Sequence, residues 1–454
     1  MTVQETSLPA SERPDVRRLG IGSGTALCAG AVLGPGVLAL PSLAADAAGP
    51  ASLVAWVALL ALCVPVATAF AALGARFPDG GGVATYVHRA IGPRAAAVVG
   101  WWFYGAVPIG VVSAAWIGGK YAADAAGWGG TGAAVVAGAV VAVALVSNAV
   151  GLRMSGRVQL LLGGLLAVVL LGTVLAAAPQ VSARHFTPFL PGGWSSVGSA
   201  ASVLFFAFAG WEAASHLSGE FADPGRDLPR VTRRTLAVIT VLYLGLAVVT
   251  IGALGPAAAA TETPLTELLA RSVGAAARPV AAAAALFLTF GAVNSYLAGA
   301  SRLGAALGRD GAAPRLLARG GAPGEVPRRS LAVLGGAAVL VGAAAGFGGA
   351  DLDVLMRATA TCLAAVTLAG LAAALVLLPR RTPLWCGVCA STLLTAAVLA
   401  FAGWLLLIPA GLAGAAFCFL TLRRVIGRDR VSQAGTAAGR TGPRQPMRRR
   451  SSRT

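Results

Sequence analysis

Apolar runs separated by short polar stretches follow one another along almost the whole chain. Twelve of them reach the length of about 20 residues that a helix needs to cross a bilayer. They fall at roughly 19–43, 51–74, 95–119, 132–151, 158–178, 196–218, 235–255, 276–300, 331–350, 354–378, 384–402 and 404–422. The pattern predicts an all-α integral membrane domain over 19–422. A cytoplasmic N-terminal tail precedes it at 1–18, and a basic, disordered cytoplasmic C-terminal tail follows at 423–454. The first run is too long for the apolar part of a signal peptide, so it is read as a span.

Two runs are interrupted. The first contains "AGAVLGPGVLALP" (29–41), in which Gly34-Pro35-Gly36 cuts the helix. The sixth contains "VLFFAFAGWEAASHL" (203–217), with a weak point at Ala207-Phe208-Ala209-Gly210 and the acidic Glu212 just beyond. Unpaired backbone in hydrocarbon is tolerated only where it is buried in protein or lines a cavity. Interrupted segments at corresponding places in two halves of a chain point to a transporter's central site. A broken first run frees N–H groups at the start of its second half and carbonyls at the end of its first. The amides attract a carboxylate and the carbonyls an ammonium. A zwitterionic amino acid carries both.

Composition agrees with a membrane domain: 57% of residues are hydrophobic and 11% charged, with a mean hydropathy of +0.78. The net charge of +18 raises nucleic acid as a partner, but its distribution argues against it. With the N-terminus inside and twelve crossings, all but five of the 35 basic residues fall on the inner side. The five are Lys120, Arg184, Arg271, Arg278 and Arg357. The positive-inside rule thus favours twelve spans with both ends cytoplasmic. The tail "RTGPRQPMRRRSSRT" reads as a topogenic or lipid-headgroup segment. The six cysteines lie within apolar runs, and "CGVC" at 386–389 reads as small-residue packing rather than a redox pair. No disulfide, metal site or cofactor is inferred.

With these segments in view, the chain resembles the amino acid–polyamine–organocation superfamily over its first ten runs. The resemblance rests on "GAVLGPGVLALP", "ALGARFPDGGGVATYV", "FFAFAGWEAASHLSGEFADPGRDLPR" and "SRLGAALGRDGAAP". It is most similar to the bacterial branch that exports methionine and branched-chain amino acids. The resemblance implies a LeuT-like fold, with runs 1–5 and 6–10 as inverted repeats and runs 11–12 appended. It also implies an α-amino acid held between runs 1 and 6, in a bacterial inner (plasma) membrane. The carboxylate would meet amides around Gly34 and Gly36. The ammonium would meet carbonyls near Ala31 and around Phe206, Ala207 and Ala209, beside Gly210. Pro35 departs from the family, which usually has Ser or Thr there; proline has no N–H, so one carboxylate contact is lost.

Leu33, Phe206, Phe208 and Trp101 or Trp102 are the candidate walls, and their apolar character favours a neutral, apolar side chain on the substrate. Glu212, His216 and Glu220 share one helical face. An ionisable group inside a span is a functional candidate by default. Glu212 either couples proton binding to conformation, as the resemblance implies, or holds the unwound segment by a hydrogen bond. Sodium coupling is disfavoured: Thr289, Asn294 and Ser295 read as interhelical hydrogen-bonding residues. The chain's only lysine, Lys120, lies at the outer end of run 3. The resulting expectation is a proton-coupled exporter or antiporter of methionine and branched-chain amino acids. An uptake permease or exchanger, including one for cationic amino acids or polyamines, is the alternative. A channel lacks its filter segment. An enzyme lacks a ligand-spaced set among His88, His185 and His216, and no P-loop is present.

Overall fold

The computed structural model describes residues 20–77, 82–151, 156–208, 210–211, 221, 223–320, 325–348 and 351–440. Among them every regular element is helical and no strand occurs. The first run divides into α1 (Ile21–Val32), a 3₁₀ turn (Pro35–Leu38) and α2 (Leu40–Ala48). There follow α3 (Ser52–Arg76), α4 (Val83–Ala90), α5 (Pro93–Ala126), α6 (Gly130–Ala149), α7 (Gly156–Ala177) and α8 (Gly193–Phe208). The second part holds α9 (Pro224–Leu254), a single turn (Ala257–Ala260), α10 (Pro264–Val273), α11 (Arg278–Asp310) and α12 (Arg328–Gly348). It ends with α13 (Leu352–Leu377), α14 (Pro383–Ala400) and α15 (Leu407–Arg440). The last helix continues past the 422 boundary of the twelfth apolar run.

The sequence marks many of these ends. Proline opens α5, α9, α10 and α14, where its missing N–H has no helical partner to lose. The Asp223 side chain accepts from the Arg226 N–H at 3.1 Å, and Thr382 Oγ1 accepts from the Trp385 N–H at 3.2 Å. Gly127 and Gly311 close α5 and α11 in the left-handed conformation, at φ of 67° and 72°.

Ten described helical segments are long and apolar enough to cross a membrane, with Leu40–Arg76 counted as one although a 3₁₀ turn separates α2 from α3. Twelve were expected. The first run is cut into short pieces by its break, and residues 209 and 212–220 of the sixth lie outside the described residues. Here α1 has 12 residues, α2 has 9 and α8 has 16.

Three packings organise the centre: α2 lies on α8, α3 on α9, and α5 on α11. In addition α1 packs on α7 and α9, and α13 packs on α5, α4 and α8. Small residues permit these approaches. A Cβ on Gly119 of α5 would collide with the Ala133 carbonyl of α6, and one on Gly163 of α7 would lie 3.4 Å from Gly30 Cα of α1.

Candidate functional site

At the end of α1 the helical ladder fails in a defined way. The Leu33 N–H still donates to the Ala29 carbonyl at 2.7 Å, but the Gly34 N–H turns to Val32 at 2.8 Å. The Gly30 carbonyl therefore loses its helical donor. The Ala31 carbonyl, in the last turn of α1, loses its own because Pro35 has no N–H. Beyond the break, the Gly36 N–H donates to no described residue. Pro35 sits at the first position of the 3₁₀ turn, where its fixed φ suits a restarting helix. Helix α8 ends at Phe208, and Gly210 takes φ 145°, a conformation that favours glycine.

The two breaks share one cavity. It is lined by Val32, Gly34, Pro35 and Gly36 from the first run and by Phe206 and Ala207 from α8. Helix α5 adds Phe103, Ala106, Val107, Gly110 and Ala114; α11 adds Tyr296; α13 adds Thr359 and Leu363. No charged side chain is among them. The free volume is about 30 Å³, room for one or two waters. The Phe206 ring lies against Gly36, where an added Cβ would be 2.6 Å from it. A Cβ on Gly34 would meet nothing within 4 Å, so Gly34 faces open space.

One hydroxyl ties the breaks together. Tyr243 of α9, fully buried, directs its O–H toward the Val32 carbonyl at 2.8 Å and the Ala207 carbonyl at 3.1 Å. A phenol has one proton, so the two carbonyls share it and retain accepting capacity. The C-terminal ends of α1 and α8 converge here, and each carries partial negative charge. Beyond the break, the Tyr121 hydroxyl donates to the Leu38 carbonyl at 2.8 Å and accepts from the Leu265 N–H at 3.2 Å. Ser42 of α2 donates to the Ala258 carbonyl at 2.8 Å and contacts that of Thr261. The restarted half of the first run is thereby fixed to the 257–265 segment.

Of the residues singled out from sequence, Gly34, Pro35, Gly36, Phe206 and Ala207 are brought together on this cavity. Leu33 is buried but does not line it. Phe208 points away, into an edge-to-face cluster with Trp56 at 6.0 Å and Tyr243 at 5.6 Å. Neither tryptophan is a wall: Trp101 Nε1 donates to the Ala312 carbonyl at 2.8 Å and Trp102 Nε1 to that of Pro409 at 2.7 Å. The aromatic residue of α5 that does reach the cavity is their neighbour Phe103. Ala209, Glu212, His216 and Glu220 lie outside the described residues. Asn294 accepts from Asn148 Nδ2 at 2.8 Å, joining α11 to α6, and neither it, Thr289 nor Ser295 lines the cavity.

Sequence reasoning missed Tyr243 and the lining residues of α11 and α13, and for α5 it named Trp101 or Trp102 in place of the residues that line the cavity. Those helices are continuous, and nothing in their local sequence separates a cavity wall from ordinary packing. A second, polar recess of about 650 Å³ lies at the far end of α5. Of its lining charges, Lys120 pairs with Glu262, while Asp124 and Glu267 pair at 3.9 Å and 3.7 Å with Arg278, which lies outside the lining.

A family profile described as amino acid permease matches residues 19–426. The uncharacterized amino acid permease YecA of Bacillus subtilis (strain 168) is 34% identical over 400 residues, covering 87% of this chain and 94% of that protein. The L-methionine/branched-chain amino acid exporter YjeH of Escherichia coli (strain K12) is 32% identical over 291 residues, covering 63% of this chain and 69% of that protein. The branched-chain amino acid permease BcaP of Bacillus subtilis (strain 168) is 28% identical over 331 residues, covering 68% and 71%.

Proposed function

Since the chain belongs to the amino acid permease family, a family of multi-pass membrane transporters rather than enzymes, we propose that it moves neutral, apolar amino acids by secondary active transport. In this reading it exports methionine and branched-chain amino acids across the plasma membrane, driven by protons. The observation that carries the proposal is the meeting of the two interrupted runs at one cavity, lined by Val32, Gly34, Pro35 and Gly36 of the first and by Phe206 and Ala207 of the sixth. An ammonium bound there would lie between the C-terminal ends of α1 and α8, and a carboxylate would lie at the start of the 3₁₀ turn. The uncharged, mostly apolar remainder of the wall favours an uncharged, apolar side chain over a cationic one.

The same proposal takes the fold as twelve spans in two inverted repeats of five, with two spans appended. Support comes from the order of packing. The second half of run 1 lies on run 6 (α2 on α8), run 2 on run 7 (α3 on α9) and run 3 on run 8 (α5 on α11). A five-span repeat generates that offset. Glu212 is assigned to proton coupling because an ionisable side chain within a span is costly unless used.

The test is retention of labelled amino acids by cells expressing the chain, with and without a proton gradient. Expression is expected to lower retained methionine and leucine in energised cells only. Unchanged retention contradicts export, and raised retention selects uptake by the same site. Glu212→Gln is expected to flatten the pH dependence of transport in vesicles, and an unaltered pH profile would remove Glu212 from the mechanism.

A further inference from the structure

The break in the first run is held at both ends by phenols. On one side Tyr243 serves the Val32 carbonyl, and on the other Tyr121 serves that of Leu38. The Leu38 carbonyl needs such a donor for a reason written in the sequence. Leu38 closes the 3₁₀ turn, and the residue three positions on, which would donate to it in 3₁₀ geometry, is Pro41. Proline has no N–H, and among the described residues no backbone N–H reaches the Leu38 carbonyl. Helix α10 presents the complementary gap. Leu265 stands in its first turn, where an N–H has no partner within the helix, and the preceding Thr263 side chain accepts nothing there. The Tyr121 hydroxyl fills both gaps, donating to Leu38 at 2.8 Å and accepting from Leu265 at 3.2 Å. Tyr121 lies near the end of α5, is fully buried and does not itself line the cavity.

We propose that Tyr121 is a positioning residue for carboxylate recognition: by holding the far end of the 3₁₀ turn, it sets the backbone that Gly34 and Gly36 present to the cavity. The inference rests on the amino acid reading and adds to it the side chain that fixes the turn. Leu38 stands two residues beyond Gly36 in the same four-residue turn, so a shift at one is carried to the other. Leu38 is fully buried. Without the hydroxyl its carbonyl has no donor, a cost the turn relieves only by moving toward another partner. The apolar lining from α5, α11 and α13 does not depend on that bond. Loss of the hydroxyl therefore weakens the part of binding that reads the carboxylate and spares the part that reads the side chain.

The experiment is equilibrium dialysis of the purified full-length chain, in lipid nanodiscs, against radiolabelled leucine and leucinamide. The amide keeps the side chain and the amino group and lacks the carboxylate. Wild-type protein is expected to favour leucine. Tyr121→Phe is expected to cut that preference about tenfold, the scale of one hydrogen bond to a charged group, chiefly by weakening leucine. Pro41→Ala supplies an N–H three residues after Leu38, so adding it to Tyr121→Phe is expected to restore the preference. Equal weakening of both ligands by Tyr121→Phe, or no recovery in the double variant, overturns the positioning role and leaves Tyr121 a packing residue. If Tyr121→Phe alone does not fold, the double variant decides: it is expected to fold and to favour leucine, and failure of either overturns the proposal. Wild-type protein that binds neither ligand removes the amino acid reading and the role of Tyr121 with it. Wild-type protein that binds the two alike, or a preference for leucine untouched by Tyr121→Phe, removes the positioning role alone.

Discussion

Gly34 and Gly36 stand two residues apart and do different work. Gly34 has an ordinary extended backbone, φ −76° and ψ 176°, so its value lies in the space it leaves rather than in the conformation it takes. A methyl there would meet no described residue within 4 Å, and Gly34 lines the cavity. Gly34→Ala is therefore expected to fold with unchanged thermal stability and to lose amino acid binding. Gly36 is covered by the Phe206 ring, so Gly36→Ala must displace that ring and is expected to lower the unfolding midpoint as well. Thermal unfolding and labelled-leucine binding, measured on both variants, check the pair. Equal destabilisation of the two would show that the cavity at Gly34 is not open. These glycines were legible in the sequence because Gly-Pro-Gly inside an apolar run breaks a local rule. The glycines of α5 were not. Gly100, Gly105 and Gly118 make room for Leu307, Leu412 and Thr289 on neighbouring helices, while Gly110 borders the cavity. One residue type serves both purposes, and only the partner across the gap distinguishes them.

Among the elements, the telling contrast is between broken and continuous helices. Interruption was readable because it changes the residue pattern within a few positions. The brace that holds the breaks was not, since Tyr243 lies in the middle of an unremarkable apolar run and acts through contacts with residues 32 and 207. Its ring also closes the cluster with Trp56, at 5.4 Å, and Phe208. Tyr243→Phe keeps that packing and removes the hydroxyl. Two buried carbonyls then lose their shared donor, a cost of about 1–3 kcal/mol. The variant is expected to unfold at lower temperature and to transport more slowly at normal expression. Wild-type stability and rate together would show that the hydroxyl holds nothing. Arginines supply a related service elsewhere. Arg76 donates to the Leu377 carbonyl at 2.8 Å, Arg328 to Ala149 at 3.2 Å and Arg271 to Ala253 at 3.1 Å. Each places positive charge at the negative end of another helix.

For the molecule as a whole, charge and hydrophobic length argue together. The alternation of apolar runs with arginine-rich and arginine-poor connections predicts both chain ends on the same, cytoplasmic face. A reporter active only outside the membrane, fused after residue 454, is expected to stay silent, and the same reporter placed between residues 186 and 193 is expected to be active. The reverse result would place both chain ends outside and contradict the orientation drawn from the arginines. The ten long apolar helices among the described residues do not count the first and sixth runs as spans of their own. The central claim is that these breaks form the amino acid site. Its most direct test is a structure of the chain in lipid at saturating methionine. The account predicts ligand density between Gly34–Gly36 and Phe206–Ala207, with Phe206 moved off Gly36 and the ammonium toward the ends of α1 and α8. Methionine bound elsewhere, with Phe206 still lying on Gly36, would contradict it.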